Sequence, residues 1–213
     1  MIAVVDYRMG NLKSVERGLR AVGADARITA DPAEIAAADA VVLPGVGAFG
    51  DAMRSMNELG ESDAICVAIA AGKPFLGICL GMHLLFSDGV EGAKAGGTVK
   101  GLGLIEGTVG RMPNHDAQGV LYKIPHVGWN SIEGLKSRLF AGIPEGEHFY
   151  FTHSFAAPES PYTIATTEHS VRFPSAVALS DRAFGVQFHP EKSSDAGAQV
   201  LANFVRIANE LAS

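Results

Sequence analysis

The sequence predicts an α/β fold with a mixed, mainly parallel central sheet flanked by helices and an antiparallel portion in its second half. Three observations predict it. Short apolar runs alternate with amphipathic helical stretches in the first half; Gly and Pro turns separate short strand-like runs from about residue 101 onward; and a strand–turn–helix pattern surrounds Cys79. With no linker or internal repeat, residues 1–213 are expected to form a single domain.

The first half consists of repeated strand–helix units, which imply parallel strands joined by right-handed crossovers. Leu12, Val15, Leu19 and Val22 mark one face of a first helix that stops at Gly23. A second helix begins with an N-cap residue and a proline, residues 31–32. Strands are expected at residues 2–6, 26–29, 40–43 and 74–76, and further helices at residues 51–59, 62–71 and 82–86.

The second half predicts short strands and one closing helix. The expected strands are residues 102–105, 108–112, 148–155, 162–167, 176–180 and 183–188. The closing helix is amphipathic, with an apolar face formed by Val200, Leu201, Phe204, Val205, Ala208 and Leu211.

Composition excludes several classes of function. The net charge is −6 and there is no basic run, so we expect no nucleic-acid partner. The most apolar stretch, residues 64–81, is interrupted by Lys73 and Pro74, which predicts no membrane span. No signal-peptide pattern follows Met1. Cys66 and Cys79 are the two cysteines, and a reactive Cys79 must stay reduced, so we expect a cytoplasmic location.

Residues 77–81, Gly-Ile-Cys-Leu-Gly, have the pattern of a nucleophile elbow. They place Cys79 at the apex of a turn between a strand and a helix, where the helix dipole favours the thiolate. Free cysteine is also common as a small buried hydrophobe. The pentapeptide alone leaves both interpretations open.

A histidine near the C-terminus supplies a base for such a nucleophile. His189 ends a strand-like stretch, and Glu191 follows two positions later, on the same side if the backbone is extended. A cysteine nucleophile needs a base and a third group that orients the base. An isolated His-x-Glu favours a surface turn, but the cysteine elbow in the same chain favours a Cys79–His189–Glu191 triad.

Residues 45–50, Gly-Val-Gly-Ala-Phe-Gly, match the dinucleotide fingerprint. The match lies in the third strand–helix unit, and no acidic residue ends a strand about 20 residues later to hold a ribose. The alternative is a loop that points N–H groups at the oxyanion formed when a thiolate attacks a carbonyl. Val46 and Gly47 are the candidate loop donors, and the Leu80 N–H is the second donor.

These motifs resemble the class I (triad) glutamine amidotransferases. Within that family, the chain is similar to the glutaminase subunits that serve a (β/α)8-barrel cyclase in histidine biosynthesis. The segments that carry the resemblance run nearly end to end: residues 6–7, 10–12, 43–47, 77–82, 101–105, 125–130, 150–154 and 188–194.

The resemblance implies that Cys79 attacks the side-chain amide of glutamine, His189 moves the proton and Glu191 orients His189. No cofactor is expected, and no metal site, because the other histidines show no metal-ligand spacing. Ammonia released from glutamine would pass to the cyclase, because the chain has no P-loop and no room for a second catalytic domain. The implied glutamine contacts are Gly45, Gly47, His83, His153 and Ser154, and the implied cyclase contacts are Asn11, Lys13, Trp129 and Lys192. Core packing is the alternative for Trp129.

One departure keeps other functions open. His83 stands where the family usually has glutamine to hold the substrate, and an imidazole cannot reproduce both hydrogen bonds of a carboxamide. The alternatives are a glutaminase subunit of another amidotransferase, a γ-glutamyl hydrolase, and a non-catalytic subunit that only binds its partner.

Overall fold

The computed structural model describes residues 1–210; Leu211, predicted on the closing helix, lies outside them. In chain order the strands are β1 (Ile2–Val5), β2 (Ala26–Thr29), β3 (Ala40–Gly45), β4 (Phe75–Cys79), β5 (Phe86–Gly89), β6 (Val99–Lys100), β7 (Ile105–Arg111), β8 (His126–Ser131), β9 (His148–His153), β10 (Phe155–Ala156), β11 (Thr163–Glu168), β12 (Arg172–Ala178) and β13 (Ala183–Val186). The helices are α1 (Leu12–Ala21), α2 (Pro32–Ala37), α3 (Phe49–Leu59), α4 (Glu61–Ala70), α5 (Leu80–His83) and α6 (Ser194–Asn209). Two 3-10 turns occupy Arg138–Phe140 and Pro190–Lys192.

The central sheet has seven strands in the order β11-β12-β13-β4-β3-β1-β2. Neighbouring strands are parallel from β13 to β2, whereas β12 pairs antiparallel with both β11 and β13. This arrangement confirms the predicted mixed, mainly parallel sheet. Strand β4 lies between β13 and β3, so its carboxyl end, Cys79, is flanked by the ends of two parallel neighbours.

Alternate residues of the sheet belong to two apolar cores, one on each face. Val4 packs in the core beneath α1 and α6, whereas Val5 packs in the core beneath α3 and α4. Every residue of β1 is buried, as expected for a parallel strand covered by helices on both sides. The sheet and the helices on its two faces therefore form three layers, which hold the strand ends in place.

Two smaller sheets lie outside the central one. A four-stranded sheet has the order β10-β7-β5-β6, and β8 pairs with β9 in an antiparallel hairpin. Within residues 1–210, no helix is long and apolar enough to cross a membrane.

Two predicted elements were wrong. The helix expected at residues 82–86 is only the single turn α5, because residues 86–89 leave it to pair with β7 as strand β5. The strand expected at residues 102–105 begins only at Ile105. Residues 102–104 are instead irregular, with Leu102 and Leu104 donating their N–H groups to the carbonyls of Leu84 and Leu85.

Strands β5, β6 and β8 were not predicted. Strand β8 is hidden in the sequence because its apolar residues Val127 and Trp129 face outward.

The packing of α5 predicts a sharp effect at Gly81. A Cβ atom there would lie 1.8 Å from the Leu43 carbonyl oxygen, and this atom belongs to the β3 backbone, which is fixed on both sides. Gly81→Ala is expected to lower the free energy of unfolding by about 3 kcal/mol or more. Urea unfolding checks it. Gly110→Ala, where no atom lies within 4 Å of the added Cβ, is the control; equal losses in the two variants would contradict the prediction.

Candidate active site

Cys79 lies at the junction of β4 and α5 in a strained backbone conformation, φ 53° and ψ −106°. A residue other than glycine rarely adopts positive φ, and doing so at such a site costs about 1–3 kcal/mol. The neighbouring glycines allow it: a Cβ on Gly77 would lie 2.5 Å from the Gly81 carbonyl oxygen. The turn therefore has the backbone geometry of the predicted elbow, although Cys79 itself is 6% exposed.

His189 and Glu191 form the predicted pair. His189 Nδ1 lies 2.9 Å from Glu191 Oε1, and both side chains are almost fully buried. The carboxylate can only accept, so Nδ1 carries the hydrogen and Nε2 is left for another partner. Extended backbone was the wrong reason for the pairing, because Glu191 lies in the 3-10 turn Pro190–Lys192. That turn brings the carboxylate back toward the imidazole.

The electrostatics couple His189 to the cysteine as well as to Glu191. Burial lowers the pKa of His189, but interactions with Cys79 and Glu191 outweigh it and raise the pKa well above its usual value. His189 is therefore favoured in its protonated, imidazolium form beside Cys79. His189 Nε2 makes no hydrogen bond of ordinary length and angle with any of residues 1–210.

Backbone contacts fix the position of His189. Its N–H donates to the Tyr150 carbonyl on β9 at 2.9 Å. The Ser193 hydroxyl donates to the His189 carbonyl at 2.7 Å and accepts from the Tyr150 N–H at 3.0 Å. The histidine is therefore held between the hairpin and the start of α6.

A cavity of about 420 Å³ opens beside Cys79. Its lining residues are Val46, Gly47, Ala48, Cys79, Leu80, His83, Glu91, Pro125, Thr152, His153, Ser154 and Phe155. Most of the predicted substrate and oxyanion residues are among them. Gly45 is not: it is buried at the end of β3, where a Cβ would lie 2.3 Å from the Tyr7 hydroxyl. His189 and Glu191 also lie outside the lining.

The loop after β3 forms one wall of this cavity. Val46 is 40% exposed there, and Gly47 has φ +102°, a conformation that favours glycine. The start of α3 is not free to bind a phosphate, because Phe49 N–H donates to Glu91 Oε2 at 3.2 Å and Gly50 N–H donates to the Glu91 carbonyl at 3.1 Å. The dinucleotide interpretation therefore has no support from the fold.

Sequence reasoning missed Glu91, the one carboxylate in the cavity lining. Burial raises the pKa of Glu91 and outweighs the hydrogen bond from the Phe49 N–H, which lowers it. No sequence signal marked Glu91, because it lies between the helix predicted at residues 82–86 and the strand predicted at residues 102–105, where no element was expected. A carboxylate at this wall suits a ligand with an ammonium group.

Gln187 was also missed. It is fully buried, and its Oε1 lies 2.6 Å from His83 Nε2 while its Nε2 donates to Cys79 Sγ at 3.7 Å. Burial lowers the pKa of His83 to about 4, so this imidazole is neutral at pH 7. His83 thus contacts the nucleophile through Gln187 as well as lining the cavity.

His153 belongs to a chain of side chains behind the cavity. Its Nδ1 donates to the Phe155 carbonyl at 2.8 Å, so its Nε2 accepts from His126 Nδ1 at 3.0 Å. Asn130 Nδ2 in turn donates to His126 Nε2 at 3.3 Å. Burial lowers the pKa of His126 to about 4 and that of His153 to about 3. Both rings are neutral at pH 7, and His153 presents a fixed wall to the cavity.

The predicted cyclase contacts are on the surface. Trp129 is 52% exposed, so the core-packing alternative is wrong. Trp129 packs edge-on against Tyr150 with ring centroids 6.2 Å apart, and Lys192 Nζ lies 5.9 Å from the Tyr150 ring. Asn11 and Lys13 begin α1, which packs against the 3-10 turn of Lys192.

The mainly parallel sheet, with a cysteine, a histidine and a glutamate at the carboxyl ends of its strands, has the arrangement expected of a glutamine amidotransferase. The family model described as "Glutamine amidotransferase class-I" matches residues 3–208, and the chain belongs to that family. Among residues 1–210, no group of three potential metal ligands is placed to hold a metal ion.

The chain is similar over nearly its whole length to one enzyme subunit from several organisms. It is 46% identical over 207 residues to the "Imidazole glycerol phosphate synthase subunit HisH" of Caldanaerobacter subterraneus subsp. tengcongensis, covering 96% of this chain and 97% of that one. It is 46% identical over 215 residues to the protein of the same name from Symbiobacterium thermophilum, covering 100% and 96%.

Solved structures share the fold at low sequence identity. One titled "Crystal structure of glutamine amidotransferase" has a TM-score of 0.72 at 18% identity, covering 98% of each chain. The structure of PurLQS from Thermotoga maritima has a TM-score of 0.70 at 17% identity, covering 96% of this chain and 97% of that one.

The buried neutral His83 predicts a loss of stability in acid. Between the ordinary histidine pKa near 6.5 and the folded value of about 4, the unfolded chain binds a proton that the folded chain does not. His83 is therefore expected to lower the free energy of unfolding as pH falls through this window, by about 3 kcal/mol in total.

Urea unfolding at pH 7 and pH 4.5 measures this effect. His83→Gln is expected to lose less stability between the two pH values than the wild type does. The exposed His148→Gln serves as the control. If His83→Gln and His148→Gln lose the same amount of stability, the prediction is contradicted.

Proposed function

We propose that this chain is the glutaminase subunit of an imidazole glycerol phosphate synthase, which hydrolyses glutamine and delivers ammonia to a cyclase subunit. The observation that carries the proposal is the strained Cys79 at the edge of a cavity, electrostatically coupled to the His189–Glu191 pair. Relatives at 46% identity over nearly full length, named as subunits of that synthase, support the particular enzyme.

The chemistry begins with the Cys79 thiolate, which attacks the side-chain carbonyl carbon of glutamine while the proton resides on His189 Nε2. The carbonyl π pair moves onto oxygen, and the oxyanion accepts hydrogen bonds from the Leu80 N–H and from Val46 or Gly47 in the facing loop. Collapse expels ammonia with the proton from His189, leaving a γ-glutamyl thioester. Water activated by His189 then releases glutamate and restores the thiolate.

The cavity suits glutamine in size and polarity. Its volume of about 420 Å³ is sufficient for a small amino acid. We assign Glu91 to the substrate ammonium group, because it is the carboxylate of the lining. Gly47, His83, His153 and Ser154 complete the contacts. Where the family usually has the carboxamide of glutamine, this chain has the imidazole of His83. Its Nε2 already bonds to Gln187. Its Nδ1 is therefore left as an acceptor for the substrate.

The proposed partner is a (β/α)8-barrel cyclase that docks on the surface formed by Asn11, Lys13, Trp129 and Lys192. Half-exposed Trp129 supports this assignment, since an aromatic side chain on a rigid hairpin is typical of an interface anchor. Tyr150 packs against Trp129 and its carbonyl accepts from the His189 N–H, so docking would act close to the catalytic histidine. We further propose that residues 1–213 act as one domain, in the cytoplasm, where Cys79 stays reduced.

The test is glutamate release from glutamine by this chain alone and by its complex with the cyclase plus the cyclase's ribulosyl substrate. The complex is expected to produce glutamate, and Cys79→Ala is expected to reduce the rate by at least about a thousandfold because the nucleophile is lost. Cys66→Ala, which removes the half-buried thiol of α4, is the matched control and is expected to keep the rate.

The outcomes separate the alternatives. No glutamate from an intact complex would refute the proposal and favour a non-catalytic binding subunit. Equal glutamate release with and without the cyclase, and no transfer of ammonia to it, would indicate a γ-glutamyl hydrolase or a subunit of another amidotransferase.

A further inference from the structure

A buried chain of three side chains runs from the cavity wall to the nucleophile. His83 Nε2 lies 2.6 Å from Gln187 Oε1, and Gln187 Nε2 lies 3.7 Å from Cys79 Sγ. His83 and Gln187 are 4% and 0% exposed. They come from α5 and from the residue after β13, so the chain links the two elements that flank the cysteine.

The orientation of the Gln187 amide depends on the tautomer of His83. An amide oxygen only accepts, so a neutral His83 must carry its hydrogen on Nε2 to bond with Oε1. That bond turns the Gln187 NH2 group toward the cysteine sulfur. The opposite orientation would place the amide oxygen against the sulfur, where it could bond only to a protonated thiol.

An N–H donor favours sulfur in its anionic form, because hydrogen bonds to charged acceptors are stronger than those to neutral ones. We propose that Gln187 stabilises the Cys79 thiolate by donating a hydrogen bond to it, and that His83 is the positioning residue that fixes the Gln187 amide in the donating orientation. The proposal rests on Cys79 being the nucleophile of the proposed function. His83, which stands where the family usually has glutamine, would then act on the enzyme's own nucleophile as well as on the substrate.

Other titratable groups act on the same sulfur, and the test must separate them. His189 lies on the segment after β13 and interacts with Cys79, which raises the pKa of His189. Glu191, in the 3-10 turn, accepts a hydrogen bond from His189 Nδ1. Tyr7, on the loop after β1, is buried. Its burial, and to a smaller extent its interaction with Cys79, raise the pKa of Tyr7 far above the usual value, so Tyr7 remains a neutral phenol. None of these groups bonds to Gln187, so changing Gln187 leaves them in place.

The experiment measures the rate at which iodoacetamide alkylates Cys79 as a function of pH, in the full-length chain without glutamine or cyclase. Peptide mass spectrometry reads Cys79 separately from Cys66. Gln187→Leu is expected to move the midpoint of the profile up by about one pH unit, which corresponds to roughly tenfold slower alkylation below both midpoints. His83→Leu is expected to move it in the same direction by less.

Conservative variants distinguish positioning from packing. His83→Gln retains an N–H donor toward Gln187 Oε1 and is expected to keep the wild-type midpoint. Gln118→Leu, the same change at an exposed position, is the matched control. Thermal unfolding verifies that each variant is folded, and Gln187→Met replaces Gln187→Leu if the latter does not fold.

An unchanged midpoint in a folded Gln187 variant would overturn the proposal. An unchanged midpoint in His83→Leu beside a raised one in Gln187→Leu would overturn the role of His83. The assay needs no turnover, so the two failures can be told apart: a raised midpoint in a protein that releases no glutamate would support the hydrogen bond from Gln187 to the thiolate while the glutaminase proposal fails.

Discussion

The positive φ of Cys79 is the constraint on which the rest of the site depends. A cysteine gains nothing by itself from this conformation, so the surrounding packing must impose it. Gly77 and Gly81 make that packing possible because α5 can lie against the β4 and β3 backbones only where no Cβ intervenes. Since β4 is central in the sheet, with parallel neighbours on both sides, the strained turn cannot relax by moving the strand.

The order of the strands in the sheet then determines which residues lie beside Cys79. The carboxyl ends of parallel strands lie at one edge, which is where ligands of open α/β sheets bind. Strand β3 brings the Val46–Gly47 loop to this edge, and β13 brings Gln187 and, after it, His189. The hairpin β8–β9 encloses the cavity with His153 and carries Trp129 on its outer side. One hairpin therefore joins the substrate cavity to the proposed docking surface, and Tyr150 on β9 connects it to the histidine.

The sequence was sufficient for features whose signal is local. The parallel strands are continuous apolar runs, and the elbow pattern lies within the five residues 77–81. His189 and Glu191 are only two positions apart in the chain. The missed features depend on distant contacts. His83 and Gln187 are 104 residues apart, and only the β4–β13 pairing brings them together. Glu91 was missed because it follows β5, a strand that begins at residue 86, where the expected helix ended, and that the sequence did not indicate. Strand β8 was hidden because its apolar face is directed outward.

The central claim is that Cys79 forms a covalent bond with the γ-carbonyl of glutamine. The most direct measurement is acid quenching of the glutamine-saturated complex with the cyclase during turnover, followed by peptide mass spectrometry of the two cysteine-containing peptides. The account predicts a γ-glutamyl group on the Cys79 peptide, none on the Cys66 peptide, and none in Cys79→Ala. Glutamate release that continues with no modification of Cys79, or with the same turnover in Cys79→Ala, would contradict it.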